Sequence, residues 1–387
     1  MPAVARFMKD AAARSGHFDV QMISLCMSSK DETSINLLRP RSWFRGIRYR
    51  QGIWEGLPFT HVGAFIGEFE FQRYRPRSAL TKLLKDCDLI QVVCGSPAWA
   101  NPVIGLGRPV SLQVATLARV ERSHRNSSPE GIAGWWRRFM TDITARMDDR
   151  ALAGVDAIQV ENPWMLEYVR RINSGRSVDL RFVPPGINSN LFKPLPSRDL
   201  SQETYILCVG RLGDSRKNVG MLLEVYNILV RRLGKRVKLI LAGMDSPPDA
   251  FWQRANSLGL EESIEFIPNP TLEQLIDLYQ HAGVFALPSF EEGLGLVVLE
   301  AMGCGIPVVA TRCGGPEGII TDGVDGFLVP LNDADAMAER LEYLLGNHQA
   351  NLMMGKQARK TIEMRFDERV TAKEFVDTWE NLLTSRV

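Results

Sequence analysis

The 387-residue sequence has no apolar run approaching the roughly 18 residues that a membrane-spanning helix needs. Residues 1–16 alternate charge and alanine where a secretory signal would carry an apolar core, so a cytoplasmic location is expected. The six cysteines, Cys26, Cys87, Cys94, Cys208, Cys304 and Cys313, form no CxxC pair, which argues for structural thiols rather than a metal or redox centre. Cys94 and Cys208 sit inside apolar, strand-like runs, where a thiol behaves as a small hydrophobe. There is no internal repeat and no low-complexity tract. What is present is ordinary globular material: 45% hydrophobic and 24% charged residues with 32 Gly and 21 Pro, values that exclude collagen-like and largely disordered chains. The length suits two domains at roughly 150–200 residues each.

A formal net charge of only +1 conceals an asymmetry. Residues 1–190 carry 26 Lys+Arg against 18 Asp+Glu, and residues 191–387 carry 20 against 27. The basic half suits an anionic partner, although solvated arginines would give the same balance.

From about residue 200, short β-branched runs alternate with amphipathic stretches, the pattern of a parallel sheet covered on both faces. Strands are expected at 205–209, 237–242, 264–267, 283–287, 307–311 and 326–329, with helices at 221–233, 272–281 and 296–303. The first half predicts strands at 18–25, 89–94, 110–114, 157–160 and 180–183, with longer irregular insertions. The Pro/Gly-punctuated segment Val183-Pro184-Pro185-Gly186-Ile187-Asn188, followed by Phe192-Lys193-Pro194, marks a domain boundary.

Two windows carry chemistry. Residues 287–302, LPSFEEGLGLVVLEAM, end a strand, turn on Gly293 and Gly295 and open a helix, so that free amides and the positive end of the helix dipole meet at the carboxyl edge of a sheet. Glu292 and Glu300 flank that turn, and carboxylates there can accept from sugar or ribose hydroxyls. The spacing of the two glutamates recurs by chance; their setting on an apolar helix is what gives it meaning. Residues 209–218, VGRLGDSRKN, again run from strand through polar loop to helix, and Arg211 and Lys217 can reach one phosphate from that loop. The alternative is a pair of solvated loop cations.

These strings, together with LAGMD, GGPEGIITDGVDGFLVP and the boundary VPPGINSNLFKP, resemble the retaining glycosyltransferases of family 4, which have the GT-B fold: α/β, with two Rossmann-like domains facing a central cleft. The resemblance is close over residues 155–387 and loose before them. It implies an acceptor-binding domain at 1–193, a nucleotide-sugar domain at 194–366 and a terminal helix at 367–387 that crosses back to the first domain. It also implies a retaining, metal-independent hexosyltransferase using a UDP-, GDP- or ADP-sugar, without a resident cofactor. By position, Gly210, Arg211 and Lys217 would serve the donor diphosphate with the backbone of Gly293, Leu294, Gly295 and Leu296. Glu300 would hold the ribose and Glu292 the donor sugar, with Arg211, Lys217 and Glu292 forming the catalytic group. The D-x-D matches at Asp86–Asp88 and Asp333–Asp335 read as capping or solvated residues.

Two departures from the family stand out. Its first strand and glycine-rich loop are missing, with Met1 falling inside the helix that follows them, as a shortened start would produce. Ala115-Thr116-Leu117 occupies the place of a histidine that many relatives carry, with His124 a few residues on in a basic loop. Basic-aromatic stretches at 37–50 and 134–140 suit peripheral contact with the inner face of the cell membrane, a lipid-linked acceptor, or a structural or oligomeric surface; no nucleic-acid-binding motif accompanies them. Transfer to a polysaccharide, lipid-linked or other glycan acceptor is the expected activity. The alternatives are a disaccharide synthase or phosphorylase of the same fold, or a catalytically silent nucleotide-sugar-binding or scaffold protein.

Overall fold

A computed structural model describes residues 2–54, 56–123, 131–196, 204–234 and 237–384. The chain divides into two compact units, the first running to Val183 and resuming at Ala372, the second spanning Pro184–Thr371.

The first unit holds strands β1 (Ile23–Leu25), β2 (Tyr49–Trp54), β3 (Leu57–Val62), β4 (Ile90–Cys94), β5 (Val110–Val114), β6 (Ala157–Val160) and β7 (Asp179–Phe182). They form two sheets, β1-β3-β2 with an antiparallel β2/β3 hairpin, and an all-parallel β4-β5-β6-β7. The strand expected over 18–25 shrinks to its last three residues. Phe18 instead sets its ring edge-on against Trp379 at 5.4 Å, so that end of the segment meets the C-terminal helix rather than a sheet ladder. The elements of this half with no counterpart in the sequence-based expectation include the β2/β3 hairpin, the 21-residue helix Ile132–Leu152 and the helix Pro163–Ile172. The C-terminal helix Glu368–Thr384 packs Ala372, Phe375 and Trp379 against Val4, Met8 and Ala11 of the helix Pro2–Ser15, and the Trp379 indole donates to Gln91 Oε1 at 2.7 Å.

The second unit is a single parallel sheet of β8 (Tyr205–Val209), β9 (Lys238–Gly243), β10 (Ile264–Pro268), β11 (Ala282–Leu287), β12 (Val308–Thr311) and β13 (Phe327–Val329) in the order β10-β9-β8-β11-β12-β13. Alternation along the strands feeds two cores. Leu207, Val209, Phe285 and Leu287 face one, beside Leu299 and Met302; Ile206, Cys208, Val284 and Ala286 face the other, beside Leu222, Tyr226 and Leu341. Because both faces are covered, these strands read as continuous apolar runs, and their positions follow the sequence pattern to within a residue. Burial pushes the Cys208 thiol up to about 12, in keeping with a packing role.

Candidate functional site

Strand β8 opens the second unit. Its chain moves outward through β9 and β10 on one side, then returns to β11 on the other side of β8 and moves outward again through β12 and β13. The loops leaving β8 and β11 at the carboxyl edge therefore diverge from adjacent strands, and the crevice between them is the topological switch point where open α/β sheets bind ligands.

Each loop is built locally. After β8, Asp214 accepts from the Arg216 amide at 3.1 Å and so caps the single 3-10 turn Ser215–Lys217. Burial works to raise the Asp214 pKa, but the Arg216 hydrogen bonds and charge outweigh it and bring the carboxyl down to about 2. Asn218 then takes a left-handed φ of 50°, which turns the chain into the helix Val219–Leu233. After β11, Thr311 Oγ1 donates to the Ser289 carbonyl at 2.5 Å, and the Glu292 amide donates to the Cys313 carbonyl at 3.0 Å. The Gly315 amide donates back to the Glu292 carbonyl at 2.9 Å. A Cβ on Gly315 would lie 2.1 Å from the Leu294 carbonyl oxygen, so this close approach requires glycine. Gly295, at φ 87°, starts the helix Leu296–Gly303, whose N-terminus has no side-chain cap.

Hydrogen bonds and ion pairs join the two loops. The Phe290 amide donates to the Arg216 carbonyl at 2.7 Å, Arg216 Nη1 pairs with Glu291 Oε2 at 3.0 Å, and Lys217 Nζ donates to Glu292 Oε1 at 2.5 Å. Ser289 Oγ also donates to Glu292 Oε1, at 2.8 Å, so a single carboxylate oxygen is held from two sides. Lys217 and Glu292 keep only 16% and 10% of their side-chain exposure, which makes this a largely desolvated ion pair. Gly210 lies beneath the lysine stem, the position of an added Cβ being 3.7 Å from Lys217 Cε.

Arg211 behaves differently. Its side chain is 59% exposed and its guanidinium lies 3.6 Å from Asp214, its one ion-pair partner among the described residues. Lys217 and Arg211 thus leave the same loop with separate partners. Glu300, one helical turn into Leu296–Gly303, accepts from the buried Tyr279 hydroxyl at 2.8 Å. The residue retains some exposure, yet its carboxyl group is enclosed: burial pushes it up to about 7, with the tyrosine donor pulling the other way. Ser289, Tyr279 and the Arg216–Glu291 pair escaped the sequence reading. Ser289 stands inside the glutamate window and could have been noticed there; Tyr279 comes from a helix with no local signal linking it to Glu300.

Of the D-x-D matches, Asp333 caps the helix Ala334–Gly346 through the Ala336 amide at 2.9 Å, and Asp335 pairs with Arg232 at 2.8 Å. In the first unit His124 lies outside the described residues. The nearby Thr116 hydroxyl is buried and has no hydrogen-bond partner among the described residues, and the Ala118 amide donates to the buried Asp148 carboxylate at 2.9 Å.

Two α/β units, the second with its site at the switch point, place this chain in the GT-B class of folds. Sucrose-phosphate synthase from Thermosynechococcus elongatus aligns with 98% of this chain and 93% of its own at a TM-score of 0.71 and 19% identity. The Anabaena protein HepE in complex with UDP-glucose aligns with 80% of this chain and 82% of its own at a TM-score of 0.61 and 17% identity. At such identities the likeness concerns the fold. Within the second unit, residues 196–361 match the family described as glycosyl transferases group 1. A D-inositol 3-phosphate glycosyltransferase from Saccharomonospora viridis is 27% identical over 252 residues, covering 62% of this chain and 58% of that protein. The chain therefore spans less than two thirds of that relative.

Proposed function

We propose that the protein is a retaining, metal-independent hexosyltransferase that moves a hexose from a nucleoside diphosphate sugar to a glycan or lipid-linked acceptor. The observation that carries the reading is the Lys217–Glu292 pair, desolvated at the switch point beside an uncapped helix N-terminus. A diphosphate entering that crevice meets the ammonium of Lys217 and the amides at Leu296, which together favour negative charge on the leaving group. Arg211, exposed and loosely held, can swing onto the same phosphates as a fork. Glu292, oriented by Ser289, offers its oxygens to hydroxyls of the sugar, and Glu300 to those of the ribose. No side chain here has to act as a general base if the departing phosphate itself takes the acceptor's proton on the face where the leaving group departs. The match to group 1 and the fold shared with a protein solved with UDP-glucose support a nucleotide-sugar donor. The same reading assigns the enzyme to the cytoplasm, in polysaccharide or glycolipid assembly.

The test is a thermal-shift panel of UDP, GDP, ADP and their common sugars, followed by a turnover assay with and without EDTA. A ligand at about 100 times its Kd stabilises by about 2.7 kcal/mol, a shift of several degrees. A selective shift, with transfer unaffected by EDTA, is expected. A folded protein that responds to none of these ligands would refute the reading.

A further inference from the structure

The basic stretch at 37–50 takes no part in the site described above, and the structure gives it a definite form. Asn36 and Ser42 lock the segment: Ser42 Oγ accepts from the Asn36 amide at 2.9 Å and lies 2.6 Å from the Arg39 carbonyl, to which it donates. The short helix Pro40–Arg45 that follows projects its side chains from this fixed base. Arg39, Arg41, Arg45 and Arg48 surround a shallow cavity of about 280 Å³, with Glu32 and Asn36 also on its wall. Among the described residues none of these four arginines pairs with a carboxylate; the Arg48 guanidinium donates to the Glu32 carbonyl, at 3.2 Å. Residues 37–50 contain five arginines and no acidic residue. Asn36 is 3% exposed, and its Oδ1 is buried with no hydrogen-bond partner among the described residues.

The rim is apolar to a degree that a site for a small soluble anion would not need. Leu38 is 90% exposed and Phe44 93%, interleaved in sequence with the arginines. The patch also extends. Trp43 sets its ring edge-on to Phe65 at 6.2 Å, and a few residues along the same loop Phe69 meets Trp136 at 6.3 Å. Trp135 stacks on Phe139 at 5.5 Å, and Arg137 and Arg138 are exposed beside them. The two basic-aromatic stretches, nearly a hundred residues apart in sequence, thus meet through the loop 65–69 as one surface of the first unit. No helix among the described residues is long and apolar enough to cross a membrane.

We propose that this surface docks on an anionic lipid bilayer, with the cavity formed by Arg39, Arg41, Arg45 and Arg48 taking a lipid phosphate headgroup while Leu38 and Phe44 enter the acyl boundary. Unpaired arginines supply the charge complementarity, and the fully exposed apolar pair selects a lipid surface over a dissolved phosphate ester. The inference deepens the functional reading by naming where the enzyme works, and it rests on none of the donor chemistry.

The test is co-sedimentation of the full chain with vesicles of phosphatidylcholine alone and of phosphatidylcholine with 30% phosphatidylglycerol, the vesicle compositions being about those of common practice. Binding to the anionic vesicles, weakened by salt and absent from the neutral ones, is expected. Arg41→Gln with Arg45→Gln should weaken it by about thirty-fold at two arginines, and Leu38→Ser with Phe44→Ser should also weaken it. The exposed pair Lys356→Gln with Lys360→Gln, in the other unit, should leave it unchanged. Circular dichroism melts confirm that each variant folds. No binding to anionic vesicles, or binding insensitive to both substituted pairs, would overturn the proposal. Thermal stabilisation by inorganic phosphate without vesicle binding would also overturn it, reassigning the cavity to a soluble phosphate. Vesicle binding needs no nucleotide, so failure here is separable from failure of the proposed transferase activity.

Discussion

Replacing Glu292 by Gln probes the site most sharply, because the geometry requires stability, nucleotide binding and turnover to respond differently. Glu292 neutralises Lys217 at 2.5 Å and is itself held by Ser289. The amide keeps an oxygen for the serine and a neutral acceptor for the lysine, so what is lost is the charge-assisted part of one hydrogen bond in a largely buried pair. That part is about 1.5 kcal/mol, which lowers the melting temperature of a unit of this size by about 3–6 °C. A nucleoside diphosphate then meets a lysine whose competing carboxylate is gone, and its affinity should hold or rise, by up to about tenfold. Transfer should fall by about a hundredfold or more, since the group that orients the sugar as charge develops is missing. The assays are scanning fluorimetry with and without UDP, GDP and ADP, and product formation from the cognate sugar nucleotide. A variant that binds the nucleotide more weakly yet transfers normally would refute the reasoning outright.

Glu300→Gln tests the enclosed carboxyl through pH. Its folded pKa, raised to about 7 from an ordinary 4.5, means that the native state holds a proton the unfolded chain has released. Wild-type stability from this group is therefore full below the unfolded value and declines as pH rises through 7. The Gln variant should melt higher than wild type at pH 7.5 and equally at pH 5, with weaker nucleotide binding; identical melts across that range would contradict the assignment. Gly315→Ala forces a Cβ against the Leu294 carbonyl and should lower the melting temperature by several degrees and impair donor binding, as overpacking costs about 1–3 kcal/mol; unchanged melting and binding would show that the loop yields freely. Trp379→Ala empties a buried position and strands Gln91 without its indole donor, so chemical denaturation should show a loss of about 3–5 kcal/mol, and a loss below about 1 kcal/mol would mean that the C-terminal helix is held elsewhere.

The second unit was legible because local and tertiary preferences agree there. Runs such as Tyr205–Val209 and Ala282–Leu287 are buried on both faces, so every residue reports the same state, and the turns that end them are marked by glycine. The first unit was harder for an equally physical reason. Tyr49–Trp54 lies at a sheet edge with four of its six residues exposed, and Arg50, Gln51 and Gly52 in succession mask the strand alternation. Phe18 looks like a strand residue, yet its ring packs on Trp379, more than three hundred positions away in the chain.

The site divides in the same way. Sequence alone determined that Lys217, Glu292 and Glu300 would stand at strand ends opening onto helices, because strand, glycine turn and helix are local events. Only the tertiary structure decided their partners. The order β10-β9-β8-β11-β12-β13 puts loops 75 residues apart side by side, pairs Lys217 with Glu292 and leaves Arg211 in solvent. Within the first unit, packing brings Trp43 and Trp136 onto the single loop 65–69. Side-chain periodicity encodes which face of an element is buried; it carries no information about which other element covers that face, since that follows from strand order and packing across the whole chain.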